Sequence, residues 1–323
     1  MAANYLAFDV IGSFAFGRPF GFITSGYDRY DLIQTIDTRG EYVNALGTVP
    51  PILRGCIRFA VFDDFWAKGL KARSNLGKMG TDAFLQRKAT MGGEQTRRDL
   101  MSFLFNATDP QTAKPLPDEE IVAESISFIV GGSDTTSSTM TNFIDIVSRR
   151  PLIQQQLQAE LDEAFPHVRS DWVTPHKSVQ NLPFLDAVLK EVMRYRPISA
   201  TGLERLTPNG GRVVAGHFLP GGTLVSVPTS DILNDESIFP NPAEFNPQRW
   251  LQSDTSMMLQ YFQPFSYGPR SCIGRNFAWM EILKAMATLF RLFHVERAKS
   301  EETTYREGFF NKATECAVVL KRR

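Results

Sequence analysis

The apolar positions set the outline. A glycine-rich apolar stretch from Tyr5 to Ile23 predicts a buried helix over 1–23, ended by the turn Gly17-Arg-Pro-Phe-Gly21. A second helix is expected within 28–49, before Pro50-Pro51. Between 57 and 88, Phe62, Phe65, Trp66 and Leu70 recur at helical spacing. A polar break follows at Thr90–Thr96, then a short helix over Asp99–Phe105 and a surface loop over Asn106–Pro117. The clearest helix starts at Pro117-Asp-Glu-Glu120 and runs to Arg149, with acids at its positive end and Arg149-Arg150 at its close. At roughly 30 residues it is long for a globular helix, and two adjacent glycines, Gly131 and Gly132, interrupt it. Either another helix packs closely there or a ligand approaches the backbone.

Further helices are expected over Leu152–Phe165, over 184–196 up to Pro197, and over Asn276–Phe293. Short strands with tight turns fit 211–227, where Val213, Val214, Phe218, Leu224 and Val225 are split by Gly216 and Pro220-Gly-Gly222. Asn234–Asp254 reads as ordered coil, and the tail as strands around Ala317–Leu320. No repeat or charged linker divides the chain. The expected fold is one mainly α unit with small β-sheets over 1–323.

The 323 residues carry 35 acidic and 35 basic side chains and are 43% hydrophobic, which excludes a mainly disordered protein. There is no excess of Lys and Arg to bind a phosphate backbone, so no nucleic-acid partner is expected. The three cysteines, Cys56, Cys272 and Cys316, are odd in number and far apart, which argues against a disulfide framework. No run of 18 apolar residues suggests a membrane-spanning helix. His217 and His294 lack partners at metal-ligand spacing.

The densest chemistry lies in Phe265-Ser-Tyr-Gly268-Pro-Arg270-Ser-Cys272-Ile-Gly274. A cysteine just before a helix and beside a guanidinium is favoured as thiolate. Gly268 and Gly274 let the loop turn sharply and let a flat ligand lie close to the backbone, while Phe265 is placed to cover the sulfur. Such a thiolate suits haem iron, where it favours O–O cleavage. A buried structural cysteine is the alternative for a lone residue. The full order Phe-x-x-Gly-x-Arg-x-Cys-x-Gly, however, matches by chance in roughly one chain in ten thousand of this length. It resembles the haem-binding signature of the cytochrome P450 family.

Three other segments carry the resemblance. Glu191-Val-Met-Arg194 is similar to the family's Glu-x-x-Arg helix, and Phe245-Asn-Pro247-Gln-Arg249-Trp250 to the aromatic loop whose arginine joins it, although Gln248 replaces the usual acid. This implies a buried structural cluster of Glu191, Arg194 and Arg249. Gly131-Gly-Ser-Asp134-Thr135-Thr136 is similar to the oxygen-activation stretch. There the resemblance implies that Gly131 and Gly132 loosen the helix over the haem while Asp134 and Thr135 relay protons. Read without it, the hydroxyls from Thr135 to Ser138 would bond helix carbonyls.

The resemblance further implies haem b with Cys272 as the metal ligand, and Arg270 and Arg205 at the propionates. It places substrate contacts at Ser127 and Phe128, at Ile198, Thr201 and Leu203, and at Phe309 and Phe310. It implies a monomeric monooxygenase that takes O2 and a small apolar or aromatic compound, with electrons from NADPH–cytochrome P450 reductase. Full-length relatives of the fungal microsomal type sit on the endoplasmic reticulum membrane. Here the family's anchor, first helices and Trp-x-x-x-Arg segment are not recognised, so an incomplete domain, cytoplasmic or in peripheral membrane contact, is expected. The opening stretch and Gly222-Thr-Leu-Val-Ser-Val-Pro228 resemble benzoate para-hydroxylases and oxidases of secondary metabolism, whereas Thr229–Asp235 lacks their His-Arg pair. A haem-binding but inactive fragment or pseudoenzyme is the alternative function, and a helical scaffold without cofactor a third.

Overall fold

The computed structural model describes residues 2–28, 31–60, 62–90, 98–308 and 310–323. Its contacts gather into two compact units, Met1–Ser138 and Thr139–Arg323.

The first unit contains α1 (Ala2–Phe16), α2 (Phe22–Ser25), α3 (Leu32–Thr48), α4 (Pro51–Arg54), α5 (Asp64–Ala89), α6 (Leu100–Leu104) and most of α7 (Asp118–Ser148). The turn after α1 has a buried acid at its centre. Asp9 accepts the backbone N–H groups of Gly21, Phe22 and Ile23 at 2.7, 3.1 and 2.9 Å. It thereby satisfies the amides that open α2, which no helix carbonyl reaches. Gly17 and Gly21 take φ of 79° and 88°, values costly for any residue with a side chain.

Helix α5 differs from its expected face. Phe62 is 98% and Phe65 42% exposed, and the buried stripe is Gly69, Ala72, Leu76, Gly80 and Phe84. Small residues dominate because neighbouring side chains occupy the space of their missing Cβ atoms: Tyr42 of α3 lies against Gly69, and Ile126 of α7 against Gly80. Counting large apolar residues misses such a face. The break expected at 90–96 falls, beyond Thr90, outside the described residues.

The second unit adds α8 (Pro151–Ala164), α9 (His176–Val179), α10 (Pro183–Tyr195), α11 (Thr229–Leu233), α12 (Ser256–Tyr261) and α13 (Arg275–Leu292). Proline opens both α8 and α10, where its missing N–H costs nothing. Four antiparallel pairs complete it: β1 (Arg205–Leu206) with β4 (Leu224–Val225), β2 (Arg212–Val214) with β3 (His217–Leu219), β5 (Phe293–Arg297) with β8 (Val318–Arg322), and β6 (Tyr305–Arg306) with β7 (Lys312–Ala313). The β2–β3 turn is Ala215-Gly216, both at positive φ, as a two-residue hairpin requires. Gln154 of α8 reaches β5, donating to the carbonyl of Val295 at 3.0 Å and accepting its N–H at 2.8 Å.

Helix α7 closes at Ser148 as expected, with Arg150 Nη1 donating to the Ile146 carbonyl at 3.1 Å and Arg149 Nε reaching back to Asp145 at 3.0 Å. Two sequence expectations shift. Phe293 begins strand β5, not the end of α13, because its apolar side chain continues both patterns. The coil expected over Asn234–Asp254 contains a 3₁₀ turn at Pro247–Leu251.

Candidate haem and oxygen site

The cysteine loop is held by its own backbone. The amide of Cys272 donates to the carbonyl of Phe265 at 2.9 Å, and Ser271 N–H to Gly268 at 3.0 Å. Ser266 and Gly268 adopt φ of 61° and 78°, so the chain reverses twice before α13 begins. Cys272 is exposed, as are Tyr267 (80%) and Ile273 (103%). Phe265 is half-buried, its ring 6.1 Å from that of Trp279. Arg270 is exposed, and among the described residues nothing pairs with its guanidinium. Gly274 has only the Cys272 sulfur near its absent Cβ, at 3.9 Å.

The cluster behind this loop centres on Glu191 of α10. Arg194 donates Nε to Oε2 and Nη2 to Oε1, each at 2.9 Å. Arg249 Nε reaches Oε1 at 3.1 Å and the Asn246 backbone N–H reaches it at 2.9 Å. The indole of Trp250 donates to Oε2 at 2.9 Å. Glu191 and Arg194 are fully buried. The surplus positive charge is spread over backbone carbonyls: Arg194 donates to Leu233, Pro242 and Glu244, and Arg249 to Pro240, Asn241 and Glu244. Trp250 also packs on Phe262, with ring centroids 4.8 Å apart. Phe262 precedes Phe265 by three residues, so the cluster packs against the segment that leads into the cysteine loop. The family resemblance singled out the three charged residues; the roles of Trp250 and Asn246 had no separate signal.

In the first unit, the two glycines of α7 differ. A Cβ on Gly132 would stand 2.6 Å from the Ile11 side chain of α1, so Gly132 serves helix packing. Gly131 is exposed, with no atom within 4 Å of its absent Cβ. Thr135 is half-buried and its hydroxyl donates to the carbonyl of Gly131 at 3.0 Å. Asp134 is 8% exposed, and its carbonyl accepts from Ser137 and Ser138 at 3.1 and 2.7 Å. The back-bonding of hydroxyls to helix carbonyls therefore exists, and at Thr135 it lies over the open glycine.

Among the other expected site residues, Arg205 lies exposed on β1, donating to the neighbouring carbonyl of Glu204. Ser127 is exposed and bonds the carbonyl of Ala123, and Phe128 is half-buried. Ile198 and Phe310 are half-buried, Thr201 and Leu203 exposed. The structure joins two of these segments, since Asn311 N–H donates to the Ile198 carbonyl at 2.8 Å. Phe309 lies outside the described residues.

An acid that sequence reading passed over lies in α13. Glu281 is 6% exposed, and among the described residues neither carboxylate oxygen has a hydrogen-bond partner. Burial alone pushes its pKa up to about 8. Its place amid apolar helix positions, Ile282, Leu283 and Met286, was the available signal.

Taken together, an exposed sulfur on a backbone-pinned loop, flanked by exposed apolar side chains and an unpaired arginine, has the donor set of a haem-thiolate protein. The cytochrome P450 family model matches residues 2–318, and the chain belongs to that family. Membership implies a haem cofactor, and the residues around Cys272 fit one. The chain is 36% identical over 337 residues to the benzoate 4-monooxygenase bphA of Aspergillus niger, covering 99% of this chain and 64% of that protein. It is 34% identical over 315 residues to the cytochrome P450 monooxygenase penB of Penicillium thymicola, covering 95% and 70%. A crystal structure of the cytochrome P450DA heme domain shares the fold at a TM-score of 0.81 and 21% identity, over 99% of this chain and 68% of that one. No described helix is long and apolar enough to cross a membrane.

Proposed function

We propose that this protein is a haem-thiolate monooxygenase that inserts one oxygen atom of O2 into a C–H bond of a small apolar or aromatic compound. The observation that carries this reading is the exposed Cys272 thiol on its pinned loop before α13. The haem supplies the redox and oxygen chemistry.

The chain's own residues orient and supply it. Cys272 would hold the haem iron through its thiolate, Phe265 and Gly274 would surround the sulfur, and Arg270 and Arg205 would neutralise the propionates through charge-assisted hydrogen bonds. Gly131 leaves room on the α7 side, and Gly132 sets the depth of α7 by its contact with Ile11. Thr135 hands a proton onward at Oγ1, with Asp134 setting the local field. Substrate contacts are assigned to Ser127 and Phe128 of the first unit and to Ile198, Thr201, Leu203, Phe309 and Phe310 of the second, mostly apolar side chains that favour a ligand with few polar anchors.

Electrons come from an NADPH-dependent cytochrome P450 reductase, and the protein works as a monomeric domain over 1–323, cytoplasmic or in peripheral contact with a membrane. The name of the Aspergillus relative supports an aromatic substrate, and that of the Penicillium relative is in keeping with oxidation in secondary metabolism. The test is reductase-supported turnover of a panel of aromatic acids and apolar aromatics under ¹⁸O₂. One labelled oxygen in a product supports the reading. Haem binding without labelled product across the panel supports the inactive alternative.

A further inference from the structure

Outside the haem loop, a charged cluster ties the end of α7 to the tail. Asp145 is buried and accepts from Arg149 Nε at 3.0 Å and from the Thr303 hydroxyl at 2.7 Å, with Arg297 Nη1 3.3 Å away. The remaining nitrogens of Arg149 donate to the carbonyls of Ser300 and Glu301 and to the Thr303 hydroxyl. These bonds fix the backbone at 300–303, which leads directly into the β6–β7 hairpin.

The hairpin then meets the end of α10 twice. The Arg196 guanidinium lies 5.3 Å from the ring centroid of Tyr305 in β6, and 4.6 Å from that of Tyr195. Two residues beyond Arg196, the carbonyl of Ile198 accepts the N–H of Asn311 at 2.8 Å. On its other side the same loop is packed closely: Ser226 and Val227 crowd the space beside Gly202, and Ser230 N–H donates to Ala200 at 3.0 Å. The loop 198–203 is therefore held both by the segment from Ser226 to α11 and by the tail hairpin. Of the two contacts with the hairpin, the Arg196–Tyr305 stacking depends on where the Asp145 cluster sets residue 303. Burial, and next the charge of Asp145, push the Tyr305 hydroxyl up, so the ring remains neutral beside the guanidinium.

We infer that Thr303 and Tyr305 are positioning residues that set substrate selectivity by holding the β6–β7 hairpin against the loop 198–203, with Asp145 as the fixed root. This rests on the proposed reading of those two segments as pocket wall. Neither residue touches substrate. They act by fixing the spacing between Ile198 and Phe310.

The experiment uses the 323-residue chain with Thr303→Val and Tyr305→Leu, and with Thr303→Ser and Tyr305→Phe as conservative partners. Amide hydrogen exchange at Asn311 reads the hairpin contact, and calorimetric titration with benzoic acid and with 2-naphthoic acid reads pocket size without requiring haem. Thr303→Val and Tyr305→Leu should speed exchange at Asn311 about tenfold or more, and change the ratio of the two Kd values by about threefold or more. Thr303→Ser and Tyr305→Phe should stay near the parent. Unchanged exchange overturns the inference, as does faster exchange with an unchanged Kd ratio. If the parent chain binds neither acid, the pocket wall lies elsewhere and the inference falls with it. A parent without haem that still shows the Kd shift leaves the inference standing and overturns the monooxygenase reading.

Discussion

The indole nitrogen of Trp250 lies 2.9 Å from Oε2 of Glu191, so the carboxylate that holds Arg194 and Arg249 also holds the ring that packs on Phe262. One buried acid thus couples α10 to the approach of the cysteine loop. Glu191→Gln keeps the volume but leaves two buried guanidinium groups without their counter-charge. Removing one member of such a network costs about 3–5 kcal/mol. The expected outcome is a large fall in Tm and in haem-loaded protein, read by thermal unfolding and pyridine haemochromogen assay. Parent-like values for both would mean that the carboxylate charge does not hold the cluster.

The two glycines of α7 should respond oppositely to a methyl group. Gly132→Ala pushes a Cβ into Ile11, and overpacking of this kind costs about 1–3 kcal/mol. Gly131→Ala meets open space and gains up to about 1 kcal/mol of helix propensity. Chemical denaturation of the two variants checks the order. Equal effects would show that the Ile11 contact is readily relieved.

Glu281 makes stability fall as pH rises. Its pKa is raised from 4.5 to about 8 in the folded protein, by burial. Between those values the native state therefore holds a proton that the unfolded state has released. The stability of the neutral form is fully present below about pH 4.5 and is lost as pH approaches 8, by on the order of 5 kcal/mol across the window. Glu281→Gln removes the ionisation, so its advantage over the parent should grow from pH 5 to 8. The check is Tm against pH for both proteins, compared as a difference. A difference that is flat with pH contradicts the buried-acid account.

Thr135 carries the proton-delivery claim. Its hydroxyl already bonds the carbonyl of Gly131 at 3.0 Å, so a purely structural role predicts that Thr135→Ala is nearly silent. As a proton relay it contributes about 10²–10⁴-fold to the rate. The expected outcome is unchanged haem content and ligand binding, with NADPH-derived electrons diverted from product to peroxide. The product-to-NADPH ratio in a reconstituted system decides: a fall supports the relay, and an unchanged ratio removes it.

Chemistry with fixed spacing was the most legible part of the sequence. The order from Phe265 to Gly274 needs no distant partner to be recognised, and Glu191 and Arg194 share a helix face by position alone. Helix existence was also readable, because α7, α8, α10 and α13 keep apolar periodicity over many turns. What stayed hidden depends on neighbours distant in sequence. Gly69 and Gly132 look interruptive until Tyr42 and Ile11 are seen in the space beside them. Asp9 ties down three amides beyond the next turn, a role that no local pattern marks. At the start of strand β5 only Phe293 fell within the expected helical run, because its side chain suits both patterns and only its pairing with Arg322 separates them.

The central claim is that Cys272 binds haem iron as a thiolate, and a reduced-plus-carbon-monoxide difference spectrum tests it most directly. The account predicts the red-shifted Soret band of a thiolate-ligated carbonmonoxy haem for the parent and for Cys56→Ser and Cys316→Ser, and its loss in Cys272→Ser. Survival of that band in Cys272→Ser, or its loss in either of the other two with haem still bound, would contradict the account.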